Sequence, residues 1–382
     1  MARKPNERLE QQVLGLITGK TRGKRAGFFR GILRMLSWVF GALVQLRLDL
    51  YKHRIIRPST LGCQVISVGN LTVGGTGKTP VVETFSRALQ QKGRKVAILS
   101  RGYKSRKTPF LERLLKKEAQ LPRVVSNGTL LLLNSEMAGD EPYMLASNLP
   151  EVAVLVDKDR VKSGKYAIRE LGCDTLVLDD GFQYLSLQHR LDIVLVDATK
   201  PFGYGKVLPR GLLREPMRNL KRAGFIFITK CPPEGAPELK EKLRELNPHA
   251  EISECRHSSK YLQNVYTRER KELDFLRGRK VAAISGIAVP ESFEGGLQRL
   301  GAEIVYRARY ADHHRYTQQE IIEIINRSAA AGAEVILTTE KDAVRFPFTE
   351  RRDRPVFFLR VEIEMLSGGE AFNDWIDRIC FK

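Results

Sequence analysis

Gly74-Gly75-Thr76-Gly77-Lys78-Thr79 is the segment of this 382-residue chain that most restricts its fold. It follows the apolar run Val65–Val68 and opens a helical stretch, Pro80–Gln91, in which Val81, Val82, Phe85 and Leu89 share a face and Gly93 supplies a stop. In that setting glycines let backbone N–H groups turn inward around phosphate oxygens, and the helix N-terminus adds a favourable dipole. Lys78 is placed to reach the outer phosphates of a nucleotide, and the Thr79 hydroxyl to ligate Mg²⁺. Thr72 stands where the usual pattern has glycine; Gly74 and Gly75 keep the loop flexible without it.

Around this motif, short apolar runs alternate with helical stretches. Val65–Val68, Val96–Ser100, Val152–Val156, Thr175–Leu178, Ile193–Val196 and Phe225–Thr229 read as strands buried on both faces, as in a parallel sheet. Such alternation predicts a doubly wound α/β domain of the P-loop NTPase type over 59–257. A second set, Val281–Ile284, Ile304–Tyr306, Val335–Thr338 and Val356–Leu359, with a helix over Thr317–Ala331, predicts a smaller α/β domain over 258–382. The boundary falls near residue 257 because Cys255–Arg279 is polar and strongly charged.

Ahead of the sheet lie a basic arm, 1–27, and an apolar segment, 28–58. Met35–Leu46 carries no charge and includes Leu36, Trp38, Val39, Phe40, Leu43 and Val44. That core is shorter than the ~20 residues needed to span a bilayer, and Arg30, Arg34, Arg47, Lys52, Arg54 and Arg57 flank it. The pattern predicts an amphipathic helix lying in a membrane interface, held partly by anionic lipids. A helix packed on its own domain is the plainer reading. The formal charge of +20 favours polyanions without choosing among them. Nucleic acid is not expected: no recognition motif is present, and aromatics do not interleave with the basic runs. The five scattered cysteines show no metal-ligand spacing and suit a reducing compartment.

A phosphate loop needs a carboxylate to orient Mg²⁺, normally at the end of a neighbouring strand. Asp179 and Asp180, following Thr175–Leu178, supply it, with Asp197 a weaker candidate. A kinase also needs a base for the acceptor hydroxyl and cations for the transferred phosphoryl group. Asp140, in Gly139-Asp140-Glu141-Pro142, precedes a helix, where N-capping is the bland role. Arg160, Arg210 and Arg214 read as loop residues. In Asp312-His313-His314, adjacent histidines cannot share one face, so at most one points into a site.

Together these motifs resemble the tetraacyldisaccharide 4′-kinases, the lipid A 4′-kinases of Gram-negative bacteria. The matching stretches are Val68-Gly69-Asn70 with Gly74–Pro80, Ser100–Tyr103, Gly139–Pro142, Asp157–Arg160, Asp179–Gln183, Leu213–Pro216, Ser285–Ile287, Asp312–His314 and Thr339–Asp342, spread over about Ser37 to Phe372. The resemblance implies ATP- and Mg²⁺-dependent phosphorylation of the 4′-hydroxyl of a membrane-embedded tetraacyldisaccharide 1-phosphate. It implies action at the cytoplasmic face of the inner membrane, and the chain is expected to work as a monomer. It places the catalytic aspartate at Asp140 with His313 as its partner, activity-linked arginines at Arg160 and Arg214, and the acids associated with Mg²⁺ at Asp179, Asp180 and Glu215. The division between Asp179 and Asp180 stays open.

Lys107–Leu121 reads as an insertion, Lys104 stands where the family usually has glycine, Tyr184 replaces a histidine and Tyr204 an asparagine. These departures bear on acceptor recognition more than on the reaction. A nucleotide-driven switch or chaperone would share the phosphate loop but would not need Asp140 and His313.

Overall fold

The computed structural model describes residues 15, 23–102, 121–349 and 353–381. Most of the basic arm, Lys104 and nearly all of the 107–121 insertion lie outside the described residues. The chain divides into two compact units, one of Met1–Leu99, Asp159–Arg256 and Met365–Lys382, the other of Ser100–Lys158 and His257–Glu364. The sequence suggested one boundary near residue 257. In the division into units, residues 100–158 go with the later part and the C-terminal segment with the earlier one.

In the first unit the strands Val96–Ser100, Thr175–Asp179, Gln64–Asn70, Leu191–Asp197, Phe225–Thr229 and the start of Glu251–Asn264 lie side by side, every pair parallel. Gln64 pairs with Thr175 and Val68 with Asp179, which brings the phosphate-loop strand and the aspartate pair to the same sheet end. Their near-complete burial explains why they read as continuous apolar runs. Phe372, on the C-terminal helix Gly369–Phe381, packs edge-on at 5.9 Å against both Phe85 and Phe227. Aromatic burial of this kind binds residues 365–382 to the first unit although they follow the second in sequence.

The N-terminal helix runs over Lys24–Lys52, 29 residues. Its buried residues are Ala26 and Ser37, and hydrogen bonds tie it to the rest of the unit: Ser37 Oγ donates to the Val207 carbonyl at 2.8 Å, Arg218 to Gln45 Oε1 at 3.2 Å, and Tyr51 shares a hydrogen bond with Ser186. Phe28, Phe29, Met35, Trp38, Leu43 and Leu46 are more than half exposed, which does not fit a helix packed by its apolar face on its own domain. Counting only the uncharged core also understated the segment, since by length and composition the helix is sufficient to cross a membrane.

The second unit holds four parallel strands in the order Glu303–Arg309, Lys280–Ser285, Val335–Thr339, Val356–Ser367. It also holds an antiparallel pair, Arg123–Asn127 with Ala153–Val156. Helix Gln318–Ala330 begins at Thr317, whose hydroxyl bonds the Glu320 N–H while Glu320 reaches back to the Thr317 N–H, a capping box. The polar stretch Cys255–Arg279 begins within the 14-residue strand Glu251–Asn264. Its later half mixes buried, partly buried and exposed positions and is mostly polar, so it lacks the apolar run that marks its neighbours.

Candidate functional site

The phosphate loop is built by backbone geometry that only glycine adopts cheaply. Gly74 has φ +123° and Gly77 φ +80°, and Gly77 precedes the 14-residue helix Lys78–Gln91 with no side chain capping it. The first-turn N–H groups are therefore left for a ligand, and no acid stands in that turn to compete with an anion. The next strand end braces the loop. Thr229 Oγ1 donates to the Thr76 carbonyl at 2.8 Å, and Lys230 Nζ to the Gly75 carbonyl at 2.7 Å while pairing with Asp197 Oδ2 at 2.5 Å. Asp197, weighed as a metal ligand, thus anchors a loop lysine.

Lys78 Nζ lies 3.2 Å from Asp180 Oδ1 and 3.3 Å from Asn70 Oδ1. Arg214 Nη1 lies 2.8 Å from both Asp180 oxygens. Burial alone would raise the Asp180 carboxyl, but the charges of Lys78 and Arg214 outweigh it and hold it below the ordinary carboxyl value. Asp180 also sits at φ +56°, a left-handed conformation uncommon outside glycine. Asp179, on the strand end, is buried, and its carbonyl accepts from Arg160 Nη2 at 3.3 Å.

Arg160 is not a loop residue. It is the first residue of the helix Arg160–Arg169, buried with its guanidinium 4.9 Å from the Tyr184 ring centre, and its N–H donates to the Tyr184 hydroxyl at 2.9 Å. Tyr184, a departure from the family pattern, thus has a packing role. Glu215 is buried among donors: Arg222 Nη2 reaches both oxygens at 2.9 and 2.8 Å, Gln183 one and Asn219 the other, each at 3.0 Å.

The second unit gathers a separate constellation. Asp140 opens the helix Asp140–Asn148, but it is not its cap; Gly139 takes that position. Its Oδ2 lies 3.1 Å from His313 Nδ1 and 2.8 Å from Arg345 Nε, and its Oδ1 3.1 Å from Arg315 Nη2. Burial would raise the Asp140 carboxyl, but the His313 hydrogen bond and the charges of Arg345 and Arg315 hold it below the ordinary value. His313 adopts φ +65°, a strained conformation for a non-glycine residue. His314 turns away, 3.0 Å from Glu320 and stacked 4.7 Å from Tyr310. Of the histidine pair, His313 is the one that meets Asp140.

Arg345 and Arg315 escaped the sequence reading, as neither belongs to a motif. Arg345 is held by Asp342 Oδ1 and the Gly286 carbonyl, each at 3.2 Å. Asp342 in turn accepts from the Gly286 N–H, Tyr316 and Thr339. The Thr339–Asp342 motif is thus a strand-end turn that buttresses Arg345. Arg345 four residues after Lys341, beside a buried aspartate, left no signal that distinguishes it from a solvated arginine.

Among the described residues no group of three or more His, Cys, Asp or Glu could hold a metal ion by itself. Mg²⁺ on a phosphate loop takes few protein ligands and completes its shell with phosphate oxygens and water. Thr79 and the Asp179–Asp180 pair stand at the loop and the neighbouring strand end, whereas both Glu215 oxygens are bonded by Arg222, Gln183 and Asn219.

A model of the family described as Tetraacyldisaccharide-1-P 4′-kinase matches residues 29–380. Proteins named Tetraacyldisaccharide 4′-kinase are similar over nearly the whole chain. The one from Anaeromyxobacter dehalogenans is 40% identical over 340 residues, covering 87% of this chain and 86% of its own. The one from Geobacter sulfurreducens is 36% identical, covering 92% and 94%. The crystal structure of LpxK from Aquifex aeolicus in complex with ATP superposes with a TM-score of 0.71 at 29% identity, covering 92% of this chain and all of that one. These matches do not favour the nucleotide-driven switch. The chain belongs to the tetraacyldisaccharide-1-P 4′-kinase family and is an ATP-dependent kinase of lipid A biosynthesis.

Proposed function

We propose that the 4′-hydroxyl of a tetraacyldisaccharide 1-phosphate is phosphorylated by two constellations of this chain, one holding ATP and one presenting the acceptor base. The observation that carries the reading is the His313–Asp140 contact, which joins residues 173 positions apart. In the resting chain Lys78 is paired with Asp180. An arriving triphosphate competes for Lys78, while Arg214 keeps Asp180 ionised. The amides of Gly74–Thr79 hold the β- and γ-phosphates, and Arg160 and Arg214 steady negative charge nearby. Mg²⁺, when bound by Thr79 and a carboxylate of Asp179 or Asp180, neutralises charge on the phosphates. We give Glu215 a structural part, tying Gln183 to Arg222.

On the acceptor side, three of the roughly four lone-pair sites of the Asp140 carboxylate are taken. The last, on Oδ1, is left for the sugar hydroxyl. As the hydroxyl oxygen bonds to the γ-phosphorus and the bond to ADP breaks, the hydroxyl proton passes to Asp140. A carboxylate held below its ordinary value is a weak base, so its main part is to orient the hydroxyl and take the proton late, as suits a loose phosphoryl-transfer transition state.

The N-terminal helix gives the enzyme its place on the membrane. Four acyl chains, at ~0.8 kcal/mol per buried CH₂, keep the acceptor in the bilayer, so the enzyme must come to it. Polar bonds at Ser37, Gln45 and Tyr51 tie one side of the helix to the first unit, which favours a helix lying along the cytoplasmic surface of the inner membrane over one crossing it. Anionic lipids attract its flanking cations, and the chain acts as a monomer. Incubation with γ-labelled ATP and membrane lipid extract tests the reading: label in a glycolipid supports it, and release of phosphate with no labelled lipid overturns it.

A further inference from the structure

Eight residues before Asp140, the second unit displays an apolar knuckle that the phosphoryl-transfer constellation does not use. The strand Arg123–Asn127 ends in a tight turn, after which Leu130, Leu131 and Leu132 are 62%, 45% and 51% exposed. Alternation along an ordinary hairpin would turn one of three successive side chains inward. Here all three face out, joined by Met137 at 47%.

The display is built, not slack. Asn127 Oδ1 accepts from the N–H groups of Thr129 and Leu130 at 3.0 and 2.8 Å, and the Leu132 N–H donates to the Val125 carbonyl at 2.8 Å. The Glu151 N–H ties down the Gly128 carbonyl at 2.8 Å. At the far end, Asn134 caps the helix Ser135–Ala138. Arg315 bonds the Ser135 carbonyl at 2.9 Å and Asp140 at 3.1 Å with the same nitrogen, and Arg123 bonds the Met137 carbonyl at 2.8 Å. One arginine therefore fixes both the foot of the knuckle and the acceptor base.

We propose that Leu130–Leu132 is a second lipid-contacting element, which enters the hydrocarbon of the bilayer beside the acyl chains of the acceptor. The inference rests on Asp140 being the acceptor-side base. A base works within hydrogen-bond reach of the hydroxyl, and that hydroxyl belongs to an amphiphile whose chains stay in the membrane. The eight-residue path from Leu132 to Asp140, half of it helical, spans roughly 20 Å at most. Leucines so close to an interfacial hydroxyl meet lipid, and the arginines at the foot, Arg123 and Arg315, suit an anionic headgroup layer despite Glu136 and Glu151 nearby. A rigid exposed apolar patch marks an interaction site rather than ordinary surface.

The test places a reporter in the knuckle. The full chain carrying Leu131→Trp, with Trp38→Phe and Trp375→Phe, is mixed with phosphatidylglycerol vesicles that contain brominated acyl chains and the tetraacyl acceptor. Quenching of more than half the emission is expected, and no quenching overturns the proposal. Emission that shifts with protein concentration in the absence of lipid also overturns it, pointing to a second copy of the chain. In parallel, Leu130→Ser, Leu131→Ser and Leu132→Ser combined should raise KM for the vesicle-borne acceptor about tenfold while ATP affinity stays unchanged; an unchanged KM counts against it. Turnover that survives Asp140→Asn would remove the base reading, whereas the quenching is read independently of turnover.

Discussion

Arg345 donates from Nε to Asp140 Oδ2 at 2.8 Å while its side chain is wholly inaccessible to water. A second carboxylate, Asp342, holds the same guanidinium at 3.2 Å and is itself fully buried. A buried cation between two carboxylates fixes where Asp140 points, and its removal strips both acids of their shared buried charge partner, leaving Asp140 with Arg315 and His313 and Asp342 with neutral donors.

Arg345→Met should therefore lower stability by about 3–5 kcal/mol and raise the pH at which Asp140 protonates. Burial acts to raise that carboxyl, but His313, Arg345 and Arg315 keep it below the ordinary 3.8 in the folded chain. Its stabilisation is full above the ordinary value and is lost as pH falls through the lower folded one. The parent enzyme should show no acid limb from Asp140 down to about pH 4, and Arg345→Met should move a limb upward. Pre-steady-state turnover against pH, beside thermal melting, checks both parts; an unmoved limb would mean that Arg345 does not tune Asp140.

Lys230 supports the phosphate loop from outside the motif, through the Gly75 carbonyl and Asp197. Lys230→Ala should weaken nucleotide binding about tenfold, the equivalent of ~1.4 kcal/mol, with little change in melting temperature. Titration with a fluorescent ATP analogue measures this, and unaltered affinity would remove Lys230 from the account.

Glu215 separates a metal role from a structural one. With Arg222, Gln183 and Asn219 on its oxygens, Glu215→Gln should cost about 3 kcal/mol of stability and leave the Mg²⁺ dependence of the remaining activity unchanged. An increased Mg²⁺ requirement would restore it as a metal ligand.

Trp38 and Leu43 are 71% and 60% exposed on the N-terminal helix. Trp38→Glu with Leu43→Glu should release the protein from anionic vesicles in a flotation assay without lowering its melting temperature. Vesicle binding that persists would mean that the helix face is not the anchor.

Much of this architecture was legible in the sequence because it depends on local patterns. The runs Val96–Ser100 and Phe225–Thr229 coincide with strands end to end, since burial on both faces confines polar residues to a single Ser or Thr at the end of each. The phosphate loop was readable for a related reason: turning amides inward requires glycine at fixed places. What escaped depends on long-range packing. Nothing near Phe372 announces that its ring meets Phe85 and Phe227, so sequence order alone groups the C-terminal helix with the second unit rather than the first. The strand Glu251–Asn264 was hidden by its polar half. Asp140 and His313 were named through resemblance, but Arg345 and Arg315 were not, because a lone arginine carries no spacing that tells a buried clamp from a solvated side chain.

The central claim, that Asp140 receives the acceptor proton, is tested most directly by single-turnover transfer from γ-labelled ATP to the tetraacyldisaccharide 1-phosphate by Asp140→Asn, with nucleotide affinity measured on the same protein. The account predicts a rate lower by about 10²–10⁴-fold with ATP affinity unchanged. Transfer at a near-normal rate would contradict it.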